Sequence, residues 1–354
     1  MILRRVFLFA TGTLLLCISV WPALAETIDG PIARNHLRRT VKKMLYQEKF
    51  AELEKLAREF RKTKATFPDG HRKLTNLYAG LAFPNEKSAA GWETHLAKID
   101  KWLQASPGDI TAKVAAGYAW FYFGYDARGE GPASSVTEDG WRLLEHRGRK
   151  ALSFLEKKPS RPEDDCPGRY GALLAIALSG VWEEEKFSAL FDEAVAFQRD
   201  YYPYYLLKAT YLLPKWHGKE GDWQKFANDA IATLPRKEGK SIYARIVQAL
   251  WETKDFRSFD GTGISWPLTK QAFVELERIY PNSTWNLNTF CKFACIAGDK
   301  ETARELFRRI GERPYIEAWG GFGEFIKWRE WAGLSVKRDN EAKPFFSSGT
   351  EDFR

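Results

Sequence analysis

A long loop that contains an arginine and a glutamate is the first place in this sequence where side chains could bind a ligand. Arg128 and Glu130 stand in the stretch Asp-Ala-Arg-Gly-Glu-Gly, and Trp141 follows a little further on. The loop is longer than connections between helices usually need, which is typical of loops that carry function. The competing interpretation is that Arg128 pairs with a carboxylate and fixes the loop. Of the two, we favour the structural one.

A second candidate is the turn Lys215-Trp216-His217-Gly218, near the end of the tyrosine-rich stretch YYPYYLLKATYLLPKWHGKEGDW, residues 201–223. A tryptophan with nearby hydrogen-bond donors is a common way to hold glycans and extended peptides. The alternative is that Trp216 is a wedge between helix ends. Most of the tyrosines recur at three- and four-residue steps, which predicts that they pack on a helix face. Lys215, Trp216 and His217 therefore remain as the ligand-binding candidates.

The sequence has no signature of a familiar catalytic centre. It lacks the His-Glu-x-x-His motif of zinc proteases, the Gly-x-Ser-x-Gly elbow, the Walker loop and Ser-x-x-Lys. Its histidines are scattered and lack metal-ligand spacing. The acidic runs at 163–165 and 183–185 are better explained as a loop and as the first turn of a helix, where negative charge is favoured. We assign no catalytic residue, no metal ligand and no cofactor.

Three cysteines lie beyond the N-terminal segment: Cys166, Cys291 and Cys295. An odd number argues against a disulfide framework. Cys291 and Cys295 are four residues apart, so on a helix they are within reach of a disulfide. Because Cys291 also falls where a helical repeat needs a small residue, we interpret it as a packing residue.

The first 25 residues have the organisation of a secretory signal peptide. Arg4 and Arg5 precede a long apolar run, and Ala-Leu-Ala then ends at Ala25. This pattern predicts cleavage between Ala25 and Glu26. An uncleaved membrane anchor is the alternative, but the apolar run is short for a span of about 20 residues. No later stretch predicts a transmembrane span, so we expect a periplasmic or secreted protein.

Positive charge is concentrated near the start of the mature chain. The full sequence carries a formal charge of +8, and residues 34–64 contain 11 Lys or Arg against 4 Glu. Arg38, Arg39, Lys42 and Lys43 share much of one side of a predicted helix. They suit an anionic surface of the cell envelope, although a solvated helix face is the more common explanation. Nucleic acid is a poor partner for an exported chain.

The mature chain consists of one predicted helix after another, without a convincing strand. The clearest unit is STWNLNTFCKFACIAGDKETARELFRRIGERP, in which large and small apolar residues follow the tetratricopeptide pattern of about 34 residues. The other helix pairs match this period poorly. We therefore predict an all-α fold, an irregular array of antiparallel helical hairpins that forms a tetratricopeptide-like α-solenoid over residues 26–320. Residues 321–354 are predicted to be a polar extension, disordered from about residue 336.

Four stretches in the same order resemble a bacterial family, the domain of unknown function numbered 4034. They are FAELEKLAREFRKTKATFPDGHRKLTNLYAGL, YDARGEGPASSVTEDGW, YYLLKATYLLPKWHGKEGDWQKFAND and NTFCKFACIAGDKETARELF. The resemblance implies a helical, repeat-like fold and no assigned reaction. His217-Gly218 stands where the family often has two glycines, and Lys215 stands where it has arginine. Lysine is a weaker partner than arginine for a planar acidic group.

Helical arrays of this kind usually bind their partners on a concave surface. We therefore expect an exported scaffold that holds a protein or glycan partner of the cell envelope. The alternative is a cell-envelope enzyme acting on glycan or peptide, with Arg128, Glu130 and Trp216 near its site. That alternative requires the three residues to converge in one deep pocket. A third possibility is an array that only spaces its partners.

Overall fold

The structure is a computed structural model, and it describes residues 29–131, 133–161, 164–181, 184–234, 238–252, 259 and 261–334. These residues form sixteen α-helices and no β-strand, which confirms the all-α prediction. The helices, in chain order, are α1 (Gly30–Tyr46), α2 (Phe50–Thr63), α3 (Lys73–Leu81), α4 (Ala89–Ala105), α5 (Ile110–Arg128), α6 (Glu138–Leu155), α7 (Pro167–Ile176), α8 (Glu184–Phe197), α9 (Pro203–Tyr211), α10 (Asp222–Thr233), α11 (Ser241–Glu252), α12 (Trp266–Ile279), α13 (Thr284–Ile296), α14 (Lys300–Ile310), α15 (Ile316–Trp319) and α16 (Phe322–Trp331).

Short polar side chains begin many of these helices. Asp109 accepts hydrogen bonds from the backbone N–H groups of Thr111 and Ala112 at the start of α5. Asp299 accepts one from Thr302 N at the start of α14. Such caps satisfy N–H groups that have no partner inside the helix. They define where each hairpin turns.

The predicted repeat near the end of the chain is the hairpin of α13 and α14. Phe290, Cys291 and Ala294 on α13 are buried, as are Ala303 and Phe307 on α14. The thiol of Cys291 lies 3.6 Å from the carbonyl oxygen of Ala303. This close approach of the two helices explains why a small residue is needed there. The three cysteines that the structure describes are free thiols, so Cys291 is a packing residue as predicted.

The odd-numbered helices α1 to α13 form an inner layer. Neighbours along this series contact one another: α1 and α3, α3 and α5, α5 and α7, α7 and α9, and α9 and α11. The rings of Trp251 on α11 and Phe293 on α13 continue the series, with centroids 5.4 Å apart. The even-numbered helices pack against this layer from outside, for example α6 on α5 and α14 on α13.

The beginning of the inner layer meets its end. Asp29, which caps α1, accepts hydrogen bonds from Ser283 Oγ at 2.7 Å and Trp285 N at 3.1 Å, at the start of α13. Tyr315 Oη donates to the carbonyl oxygen of Asp29 at 2.9 Å. The inner helices therefore make a closed ring of contacts. In an open solenoid each repeat contacts only its neighbours, so this closure is a feature that the repeat pattern did not predict.

The tyrosine-rich stretch 201–223 belongs largely to the core. All five of its tyrosines are buried, with at most 8% of each residue exposed. Tyr204 and Tyr170 pack edge to face, and Phe187 stacks on Tyr211 at 3.8 Å between ring centroids. The prediction that most of these tyrosines pack is thus confirmed, and burial extends to all five.

The segment after residue 320, predicted to be a polar extension, begins with α16. Phe325 on this helix is buried against Phe307 and Trp319, at 5.6 and 5.4 Å between ring centroids. The predicted signal peptide and the tail from about residue 336 lie outside the described residues. Among the residues described, no helix has the length and apolar character that a membrane span requires.

Candidate functional site

Arg128 is used to hold its own loop together. Its Nη1 donates to the carbonyl oxygens of Gly129 and Gly131, both at 2.9 Å. The guanidinium also lies over the rings of Tyr125 at 5.4 Å and Trp141 at 5.3 Å. Arg128 and Trp141 are therefore brought together, and Trp141 remains 40% exposed. Glu130 is exposed at the loop surface. The loop is fixed as the structural interpretation requires, although through carbonyl groups and aromatic rings.

The second predicted loop folds against the end of α9. Trp216 is half-buried and packs on the apolar core, whereas Lys215 and His217 are exposed. The His217 ring stacks on Tyr211 with centroids 4.4 Å apart. Its Nε2 donates to the carbonyl oxygen of Leu178 at 3.2 Å. Trp216 thus has the partial burial expected of a wedge between helix ends.

The glycine that follows this histidine is required by a close approach of two chain segments. A Cβ atom on Gly218 would collide with the backbone carbonyl group of Leu212. Backbone atoms cannot move aside as a flexible side chain can, so the turn needs glycine here. This accounts for Gly218 in structural terms.

The two predicted loops lie in different surroundings. The contacts described for Arg128 are within α5, α6 and their connecting loop, whereas those of Trp216 and His217 involve α9 and the turn after α7. Two small cavities, of about 20 and 10 Å³, are lined by neither Arg128, Glu130 nor Trp216. The described contacts therefore do not bring the three residues into a common pocket.

The four cationic residues of α1 divide into two pairs. Arg38 Nε donates to Asn76 Oδ1 of α3 at 3.0 Å, and Lys42 Nζ donates to the carbonyl oxygen of Pro84 at 2.9 Å. Arg39 and Lys43 are exposed and lie about 100° further round the helix. The expectation that all four share one side was therefore too coarse, because only Arg38 and Lys42 make these contacts with α3 and the segment that follows it.

A polar stripe runs along α11, where a helix used only for packing would be apolar. Ser241, Arg245, Gln248 and Glu252 follow one another at steps of four, three and four residues, so they share one side. The first three are buried, at 4%, 7% and 7% exposure. Polar side chains are rarely buried at such regular spacing without partners to meet.

The connection between α2 and α3, residues 64–72, supplies some of those partners. The carbonyl oxygen of Asp69 accepts hydrogen bonds from Arg245 Nη2 at 3.4 Å and from Asn286 Nδ2 of α13 at 3.3 Å. Arg72 Nη2 donates to the carbonyl oxygen of Asp200 at 2.7 Å, just before α9. This single connection therefore reaches three helices that are distant in sequence.

The Asp69 carboxylate is the most deeply buried charge of this connection. Its Oδ2 lies 3.0 Å from His71 Nδ1 and 3.5 Å from Arg34 Nη1, in ion-pair range but without the alignment of a hydrogen bond. Burial opposes ionisation, but His71 and Arg34 outweigh it and hold the pKa of Asp69 well below its usual range. Burial lowers the pKa of His71 to about 4, and Arg34 contributes in the same direction. At neutral pH, Asp69 is ionised and His71 is neutral.

The inner face also has a solvent-exposed part. Arg38 of α1 is exposed, and besides its neighbour Arg34 on the same helix, Glu252 at the end of α11 and Tyr122 of α5 act on its charge. Tyr122 stacks on Tyr118 with centroids 6.4 Å apart and planes 14° apart. We call Arg38, Tyr118, Tyr122, Gln248 and Glu252 the interior basin. These side chains come from α1, α5 and α11.

The cavity of about 20 Å³ lies beside this polar stripe, between Gly70, Tyr202, Arg245 and Tyr280. It has room for one or two water molecules. Gly70 has φ +83°, and a Cβ atom there would collide with Arg245 and Tyr280. The backbone of the 64–72 connection is thus pressed directly onto the arginine. No group of three or more metal-binding side chains occurs among the residues searched.

Sequence reasoning missed the interior basin because its members come from three separate helices. Two local signals were nevertheless present. The stripe of α11 places four polar residues at helical spacing within an apolar segment, and Tyr118 and Tyr122 are one turn apart on α5. Each signal indicates that one side of a helix is polar or aromatic. Neither signal indicates which helices face one another, because that depends on the closed ring of contacts.

Comparisons with protein-family models, with curated proteins and with solved structures give no match to this chain. The resemblance to the domain of unknown function numbered 4034 therefore stays a prediction.

Proposed function

We propose that this protein is an exported helical scaffold that binds a protein or glycan partner of the bacterial cell envelope in the interior basin. One observation carries the proposal. The exposed Arg38 of α1 lies within electrostatic range of Tyr122 of α5 and Glu252 of α11, on helices far apart in the sequence. Concave surfaces with a few convergent polar groups are where ligands usually bind.

The polar lining itself supports binding over a purely spacing role. Elsewhere this chain closes helix contacts with apolar residues, as between α13 and α14. If the inner layer served packing alone, apolar residues would be favoured there too, because buried charges cost more to desolvate than apolar groups. Of the stripe on α11, Arg245 and Gln248 have partners within the chain, and Glu252 is the exposed member that is available to a partner.

The enzyme alternative has less support. It requires Arg128, Glu130 and Trp216 to lie near one site, but the Arg128 guanidinium donates its hydrogen bonds to carbonyl groups of its own loop. No observation favours a second function.

Capture from envelope extract tests the proposal. The extract is divided into a protein-free glycan fraction and a glycan-free protein fraction, and each is passed over the immobilised chain. We expect one fraction to be retained by the wild type and by Arg39→Ala, the control on the outer side of α1. Retention should be lost in the double variant Arg38→Ala/Tyr122→Ala. Unchanged retention by the double variant, or retention lost only in Trp141→Ala or Trp216→Ala, would place the binding surface elsewhere.

A further inference from the structure

The cavity of about 20 Å³ lies where the connection between α2 and α3 meets the start of α11. Arg72, Ser241 and Arg245 contribute to its polar lining. All three residues are buried, at 8%, 4% and 7% exposure. Leu234 and Ile242 contribute apolar lining to the same space. Two buried arginines and the first turn of a helix are therefore brought to one small cavity.

The two arginines differ in how their charges are balanced. Arg72 Nη2 lies 3.2 Å from Asp200 Oδ2, within ion-pair distance. Arg245 has no carboxylate oxygen within 4 Å among the residues that the structure describes, and its hydrogen bond to the carbonyl oxygen of Asp69 is long, at 3.4 Å. The Asp69 carboxylate is paired with Arg34 instead, at 3.5 Å. Arg245 is therefore a buried cation whose charge no described carboxylate balances.

The surroundings of Arg245 hold its guanidinium in place. It lies over the rings of Tyr202 and Tyr280, at 4.4 and 5.5 Å from their centroids. The backbone of Gly70 covers Nη2 so closely that a Cβ atom there would collide with it. A buried charge without a counter-ion is costly, and an anion beside it removes much of that cost. A fixed guanidinium at a cavity is thus an arrangement suited to binding an anion.

The first turn of α11 adds to this preference for negative charge. Ser241 and Ile242 are the first two residues of this 12-residue helix, and both line the cavity. The first N–H groups of a helix have no partner inside the helix, and the helix dipole is positive at this end. An anion in the cavity would therefore meet positive potential from Arg245 and from the start of the helix that carries it.

Glu238 sets a limit on the charge of the ligand. It is half-buried and lines the same cavity, and its carbonyl oxygen accepts from Ser241 Oγ at 2.7 Å. Of the charged side chains that line the cavity, two are cationic and one is anionic. This combination favours a ligand with one negative charge over a ligand with two, because each added charge is repelled by the glutamate.

We propose that this cavity binds a small monocarboxylate, with its oxygen atoms on Arg245 and at the start of α11 and its short carbon stem against Leu234 and Ile242. Room for one or two water molecules matches the two oxygen atoms of a carboxylate and excludes the four of a phosphate. Arginine also suits a carboxylate because it can donate two parallel hydrogen bonds. No member of the interior basin lines the cavity, so this site goes beyond the proposed function and does not depend on it.

Equilibrium dialysis of the purified full chain with radiolabelled acetate, at fixed ionic strength, tests the ligand class. We expect one saturable acetate per chain. Unlabelled propionate should displace the label, whereas acetamide, chloride and phosphate should compete at least about tenfold more weakly, because each lacks either the charge, the fork of two oxygens or the size. Acetate should also raise the Tm of the wild type, since a ligand that binds only the folded chain stabilises it.

Variants of the lining test the role of Arg245. Arg245→Gln should weaken acetate binding about tenfold or more, and Arg245→Lys, which keeps the charge but not the planar fork, should lose less. Leu234→Phe fills the cavity without changing a charge and should also abolish binding, so it carries the test if Arg245→Gln does not fold. Arg147→Gln is the matched control, because Arg147 likewise donates to a carbonyl oxygen and lies over an aromatic ring, both of Phe123. Urea unfolding of each variant shows whether the fold is retained.

Glu238→Gln gives an independent check on the sign of the ligand charge. Removal of the acid should leave acetate binding equally tight or make it tighter, and weaker binding would mean that the ligand is not an anion. Absence of saturable acetate would leave the cavity to water and overturn the proposal. Equal competition by acetamide or chloride, or unchanged binding in both Arg245→Gln and Leu234→Phe, would overturn it as well.

Discussion

The sharpest physical prediction concerns His95, a buried histidine of α4 that contacts α1 and α3. It is 0% exposed, and its Nε2 lies 2.9 Å from the carbonyl oxygen of Leu81. Because a carbonyl group only accepts, Nε2 carries the proton, and Nδ1 at 3.3 Å accepts from Tyr46 Oη. Burial lowers the pKa of His95 to about 4, and the charge of Lys42 contributes in the same direction. The neutral tautomer is therefore the one that this environment stabilises.

The sign of the pH dependence follows from this pKa. Unfolded histidine titrates near 6.5, so between pH 6.5 and about 4 the unfolded chain binds more protons at this position than the folded one. The contribution to stability is complete above pH 6.5 and is lost as the pH falls towards 4. From the unfolded pKa of 6.5 down to pH 5, an interval of about 1.5 pH units, the unfolded histidine is mostly protonated while the folded one stays neutral. At about 1.4 kcal/mol per unit, this amounts to about 2 kcal/mol.

Urea unfolding of wild type and His95→Gln at pH 7.5 and pH 5 measures this contribution of His95 to the free energy of unfolding. Glutamine can donate to Leu81 and accept from Tyr46 but cannot titrate, so the variant should lose about 2 kcal/mol less than the wild type over this interval. His146→Gln, on the exposed side of α6, is the matched control and should behave as the wild type does. An identical pH dependence in His95→Gln, or a ring that titrates above pH 6 by NMR, would refute the reasoning.

Three further predictions concern packing and the interior basin. Gly70→Ala should destabilise the chain by about 1–3 kcal/mol in urea unfolding, because φ is +83° and Arg245 fills the space; Gly108→Ala, with open space around it, should have little effect. Cys291→Ala should cost less than Cys291→Leu, which overpacks the contact of α13 with α14 by about 1–3 kcal/mol, and equal tolerance would contradict that contact. Arg38→Met should leave the Tm nearly unchanged while weakening ligand binding, since the side chain is exposed and forms no ion pair among the described residues; a clear fall in Tm would make Arg38 a structural residue.

The parts of the fold that were predictable from the sequence are those specified by residues close together in the chain. The hairpin of α13 and α14 was predictable because large and small residues alternate over a single repeat, and Cys291 faces Ala303 as that pattern requires. The burial of the tyrosines at 201–211 was predictable for the same reason. Helical spacing is a local property, and it determines which side of a helix must be covered.

The ring closure and the interior basin were not predictable in this way. The contacts of Asp29 with Ser283 and Trp285 join residues more than 250 positions apart. Nothing in the sequence of α1 indicates that it contacts α13. Arg38 was recognised only as one of four cations on a helix, because its orientation depends on Asn76 of α3. Long-range polar partners of this kind cannot be read from periodicity.

The polar residues at the centre of the inner layer indicate that the closed ring does more than stabilise the fold. If closure served stability alone, the residues at its centre would be expected to resemble those between α13 and α14, which are apolar and small. Instead the centre holds Asp69, Arg34 and Arg245, whose charges must be desolvated and then partly compensated by backbone carbonyl groups and tyrosine rings. Those polar contacts also fix the positions of α1, α11 and α13 relative to one another. Because α1 carries Arg38 and α11 carries Glu252, the same contacts hold these two members of the interior basin in fixed relative positions.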